Sequence, residues 1–141
     1  MGPKNITVHL ADTDRCQARV DIAIRLAKRH EARLLGFFAQ AEGAMRGLSL
    51  NQTPGAASRE RAGNVISWFK AATRQAGIEA EVRQILATHH SQVIHNFALA
   101  ARDCDLALMG QHNPEMGERG LPDDFPEQVI LRSGRPVLVI P

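Results

Sequence analysis

The residues with chemistry to offer fall into three groups: Asp12 and Asp14 behind a short β-favouring run, the histidines His89, His90 and His95, and the stretch from Gly110 to Glu127. A carboxylate at the end of a first strand could accept hydrogen bonds from a ligand in the crevice of an open parallel sheet. It could equally cap the helix that follows, and both readings of Asp12 stand. Adjacent imidazoles plus one on a helix would suit a metal, but no nearby carboxylate pair completes a ligand set, so these read as exposed loop histidines. His9, mid-strand, reads as a core histidine satisfied by a neighbouring group. No Ser-His-Asp or Cys-His ordering and no general base emerge, so a catalytic constellation is not expected.

Phosphate chemistry meets obstacles. Neither GxxxxGK[ST] nor GxGxxG follows the first strand, where the segment is Ala11-Asp12-Thr13-Asp14. A phospho-acceptor receiver would want a further Asp where the third strand ends Ile85-Leu86-Ala87-Thr88, and a Lys after the last strand, which instead ends the chain. The turn after Asp105-Leu106-Ala107-Leu108-Met109-Gly110 lies at the position where such sheets hold ligands. An anion there would want glycines, a hydroxyl and open backbone N–H groups at the helix start. Instead Glu115, Glu118, Asp123, Asp124 and Glu127 face only Arg119, and Asp124 with Glu127 has capping-box spacing. A triphosphate would be repelled unless a divalent cation came with it.

The elements that must position these residues follow from periodicity. Residues 6–11 make a first strand, and Asp14 with Gln17 fits a capping box. Val20, Ala23, Ile24 and Ala27 then recur at helical spacing to His30, leaving Arg15, Arg19, Arg25 and Arg29 mostly on the wet side. Residues 32–39 are a strand covered on both faces, and residues 40–57 an aperiodic loop. A helix over 58–76 ends at Gly77, which suits a left-handed closing residue. A strand over 78–86, a helix from Ser91, a strand over 105–110, a helix over 128–132 and an apolar strand over 137–140 complete the alternation. Such alternation requires a parallel sheet with helices on both faces, an α/β doubly wound fold.

The 141 residues suffice for one domain, and 44% hydrophobic with 23% charged residues is a globular balance. A net charge of +2, with basic residues spread along the helices, gives no nucleic-acid footprint. Cys16 and Cys104 lack metal or disulfide spacing, and no apolar run could span a membrane, so a cytoplasmic location is expected.

The first strand with Asp12, the helix over 18–27, the strand over 32–39, the strand over 105–110 and the ending over 127–139 together resemble the universal stress protein family over essentially the whole chain. That resemblance implies a flavodoxin-like, adenine nucleotide α-hydrolase-like sheet of five parallel strands in the order 3-2-1-4-5. It implies a stress-responsive regulatory or binding module, with no cofactor expected, and the alternative of an ATP- or AMP-binding protein. Nucleotide-binding members carry G-x2-G-x9-G-[S/T] after the fourth strand. Gly110 matches its first glycine, whereas Asn113 stands at the second and Asp123-Asp124 at the last pair, so the phosphate motif is degenerate. The adenosine part would fall on Asp12 (or Ala11, should the first turn not be one residue shorter), on Ala39 through its backbone, and on Met109 and Gly110. The resemblance also implies a homodimer through the terminal edge strand, Val137 to Ile140.

Overall fold

The computed structural model describes residues 2–41, 56–112 and 121–141. Its elements in chain order are β1 (Asn5–Leu10), α1 (Asp14–His30), β2 (Arg33–Ala41), α2 (Ala56–Ala76), β3 (Ala80–Ala87), α3 (His90–Arg102), β4 (Leu106–Gly110), α4 (Phe125–Ser133) and β5 (Val137–Ile140). The five strands form one parallel sheet, ordered β3-β2-β1-β4-β5, as the alternation demands. It is the flavodoxin-like α/β arrangement expected from the sequence.

Alternation along the strands divides the core in two. Ile6, Val8 and Leu10 of β1 face Val20 and Ala23 of α1 and Phe69 of α2. Phe37 and Ala39 of β2 and Met109 of β4 face Phe97 of α3 and Phe125 of α4. At Gly36 the α2 layer comes so close that an added Cβ would lie 2.7 Å from the Phe69 ring and 2.9 Å from Leu10. The Asp105 carboxylate accepts from the backbone N–H groups of Lys4 (2.8 Å) and Asn5 (2.9 Å), tying the start of β1 to β4. Those two bonds hold its pKa below the ordinary Asp value.

Several element ends differ from the sequence expectation for local reasons. The third strand begins at Ala80, because Ile78 N bonds Thr73 O (3.2 Å) and Gly77 N bonds Arg74 O (3.0 Å), closing α2 with Gly77 at φ 71°. The same pair of bonds closes α1, but there the left-handed residue is Glu31, at φ 52°. The expected Asp14–Gln17 capping box does not form: Thr13 is the cap residue, and Asp14 lies within the first turn. Nor does Asp124 cap α4 with its side chain. Its carboxylate instead accepts from the Gln128 amide at 2.9 Å, and α4 begins at Phe125 with Pro126 in the first turn, where a missing N–H costs nothing. α3 starts at His90, one residue early, because the Gln92 side chain reaches back to the N–H groups of Thr88 (2.9 Å) and His89 (3.3 Å). His90 is therefore helical and half-buried, not an exposed loop residue.

Arg19 is the largest departure from the expected wet side of α1. It is 1% exposed, set among Cys16, Val20 and Ala23, and its Nε donates to the His9 carbonyl at 2.8 Å. Residue 19 lies on the same helical stripe as 16, 20 and 23, so only burial with a partner was open to it. Among the described residues no helix is long and apolar enough to cross a membrane.

Candidate functional site

The carboxyl ends of β1 and β4 meet at the middle of the sheet, where the direction in which successive strands are added reverses and a crevice is expected. Asp12 stands just beyond β1 with its side chain 47% exposed, and Oδ2 lies 3.7 Å from Nε of Arg61 on α2. Arg15, from the first turn of α1, reaches across to donate to the Gln111 carbonyl at 3.4 Å. Gly110 ends β4 half-buried, and Gln111 N continues the ladder to β5 by bonding Ile140 O at 2.8 Å. Asp12 and Gly110 thus lie at the carboxyl ends of the neighbouring strands β1 and β4.

Ala39 and Met109 lie deeper. Both are fully buried within the α3 and α4 face of the core. The carbonyl of Ala39 accepts a hydrogen bond from Nε2 of His9 at 3.1 Å, which places the imidazole proton on that nitrogen. Phe97 and Phe125 meet the His9 ring edge-on, with centroids 5.4 Å and 5.1 Å away. Burial, first, and the neighbouring Arg19 charge push the His9 pKa down to about 3, against a smaller upward pull from the Ala39 bond. His9 is a neutral core residue at ordinary pH.

The start of α4 forms the other wall. Asp123 is almost wholly exposed and lies 3.7 Å from His112, while Asp124 is engaged with Gln128. Phe125 N bonds Pro122 O at 3.2 Å, and Pro126 has no N–H to offer. Between this wall and Gly110 the cleft holds only about 20 Å³. Asn113 lies outside the described residues.

Larger spaces occur away from these side chains. One cleft of about 160 Å³ opens at the opposite, amino ends of β1, β2 and β3, and another of about 450 Å³ lies between β3 and α3. The first is bordered by the Arg33–Glu79 pair at 3.6 Å and by Cys104, whose thiol donates to Ala101 O and is pushed up in pKa by burial. A protonated, buried thiol is a poor nucleophile. Among the described residues no group of three His, Cys, Asp or Glu side chains converges to hold a metal ion.

The structure sets Asp12 and Gly110 at the same, carboxyl end of the sheet and Ala39 and Met109 in the buried core; Gly110 shares a small cleft with Phe125 and Pro126 of α4, whereas Asp12 is paired with Arg61 of α2. Two residues with parts in this arrangement, Arg61 and Arg19, are not singled out by the sequence as site residues. Arg61 precedes the apolar stripe of α2 and gave no signal, whereas Arg19 could have been found from its place on the buried stripe of α1. His9 was legible as a satisfied core residue, but not its partner.

The model of the universal stress protein family matches residues 3–141. No curated protein sequence matches the chain. A universal stress family protein from Burkholderia pseudomallei is 22% identical, with a TM-score of 0.68 over 98% of this chain and 96% of that one. The universal stress protein from Archaeoglobus fulgidus solved with dAMP is 17% identical, with a TM-score of 0.64 and full coverage of both chains. A family member from Arabidopsis thaliana solved with AMP bound is 10% identical, with a TM-score of 0.66 over 98% of this chain and 91% of that one. With a family model matched over residues 3–141, nearly its whole length, this chain belongs to the universal stress protein family.

Proposed function

We propose that this chain is a single-domain, stress-responsive regulatory or binding module that works in the cytoplasm as a homodimer and does not load ATP through a phosphate loop. The observation that carries the reading is the start of α4. There two carboxylates, Asp123 and Asp124, precede a helix whose first N–H is already bonded and whose second position is proline. A polyphosphate needs open N–H groups and a favourable field at that point; here the first two helical positions offer no open N–H, and two carboxylates oppose a negative charge. No cofactor and no catalytic step is assigned. The homodimer reading rests on β5, an edge strand on which Leu138 and Val139 are 39% and 38% exposed.

The test is calorimetric titration of the protein with Mg²⁺-ATP and then with AMP. Micromolar ATP affinity would sink this reading. Replacing Asp123 and Asp124 by Gly together separates repulsion from missing contacts: a gain in ATP affinity assigns the block to their charge.

A second reading, an adenosine-type ligand held by Asp12, is favoured by the half-exposed carboxylate at the end of β1 and by relatives solved with AMP and dAMP. Binding of AMP without ATP would support it.

A further inference from the structure

β1 and β2 stop pairing before β2 ends. Their last rung is Leu10 with Phe38, while β2 continues to Ala41 against β3 alone. Ala39 is the first residue past that rung, at the inner end of the crevice. Its carbonyl is taken by the imidazole N–H of His9.

The ring of His9 has the attributes that a heteroaromatic base would bring. It is planar, offers a single N–H to a backbone acceptor, and is contacted by two aromatic side chains, Phe97 at 86° and Phe125 at 64° to its plane. Phe125 also lines the small cleft beside Gly110, so the imidazole lies one side chain behind the crevice mouth. It is 1% exposed, and Arg19 fixes its backbone from the other side by donating to the His9 carbonyl. AMP and dAMP, the nucleotides held by two of the solved relatives, share an adenine, whose amine is an N–H donor on a flat ring.

We propose that the His9 imidazole is a built-in occupant of the base position of this crevice, and that it is the specificity-determining residue that keeps a free adenine ring out. The inference rests on the reading that the crevice is the ligand site of the fold, and it concerns the base where that reading concerned the phosphates. The ring supplies from within the chain the donor and the aromatic contacts that a nucleobase would otherwise bring. The position is filled whether or not nucleotide is present.

Adenosine is the probe, because it carries no phosphate and is indifferent to the carboxylates at α4. It is titrated calorimetrically into the wild-type protein and into His9→Ala, His9→Val and His9→Phe, each checked for folding by circular dichroism. His9→Ala and His9→Val vacate the position and are expected to bind adenosine about tenfold or more tighter than wild type, the scale of one base–aromatic contact. His9→Phe keeps a ring in place and should gain nothing. Folded Ala and Val variants with no gain would overturn the proposal. So would an equal gain in His9→Phe, since loosening and not vacancy would then explain it. If neither small variant folds alone, adenosine at saturating concentration should raise their Tm, and no rise overturns the proposal too. Wild type binding Mg²⁺-ATP but not adenosine would defeat the reading of function alone, and the His9 series would still decide this one.

Discussion

Acid should destabilise this fold through His9 by an amount that can be worked out beforehand. In the folded chain its pKa lies near about 3, lowered from the ordinary 6.5 mainly by burial. Between those values the unfolded chain takes up a proton that the native state refuses. The stability His9 contributes is therefore complete above about pH 6.5 and is lost as pH falls towards about 3. At roughly 1.4 kcal/mol per unit, acidification from about pH 7 to about pH 4 removes about 3 kcal/mol. His9→Phe provides the comparison, because it fills the position without titrating and leaves every other ionisable group in place. At neutral pH it should be the weaker protein by about 1 to 3 kcal/mol, since the Ala39 carbonyl loses its donor. Urea unfolding of both proteins at pH 7, 5.5 and 4 then reads the stability gap between them. The gap should shift by about 3 kcal/mol in favour of His9→Phe at the acid end, nearly all of it below about pH 6.5. A gap that stays constant within about 0.5 kcal/mol, or that shifts the other way, would refute the claim that a buried neutral imidazole is what acid attacks.

Gly36→Ala should cost about 1 to 3 kcal/mol in urea unfolding, because the new methyl meets Phe69 and Leu10 below 3.0 Å and both are fully buried; an unchanged midpoint would show that α2 yields freely. Glu31→Gly, at φ 52° on an exposed helix end, should raise stability by up to about 1 kcal/mol by relieving the left-handed strain, and a lower Tm would contradict this. On the proposed homodimer, Val139→Lys on the β5 edge should shift sedimentation from dimer to monomer with little loss of monomer stability, since Val139 is already 38% exposed. Unchanged sedimentation would place any dimer contact elsewhere.

How much of this was legible in the sequence depends on how local each cause is. The strands and helices were, because their periodicities are properties of short windows, and the alternation then leaves few sheet orders to choose from. The start of α4 was misread because Pro126 punctuates the sequence like a break, although the first helical turn tolerates proline. The charge of Arg19 points to water, while its position between Cys16 and Val20 on the buried stripe leaves it nowhere else to go. The His9 bond to Ala39 spans 30 residues and exists only because β1 ends one rung before Ala39, a register that no local pattern encodes. The Asp12–Arg61 pair is non-local in the same way, joining the end of β1 to α2.

These long-range pairs bear on how the fold is held together at the carboxyl ends of its central strands. Ala39 and Met109, expected from the resemblance to border a nucleoside, are here part of the same buried cluster as Phe97 and Phe125, with His9 bonded between them. A pocket left open there would have wetted two aromatic edges, which costs free energy even though water would hydrate the Ala39 carbonyl. Filling it with a side chain of the chain itself recovers that energy permanently, and the same occupancy raises the cost of admitting a ligand. On the proposal that this is the base position, stability and base binding compete for one volume, and the His9 substitutions measure both sides of that competition in a single set of variants.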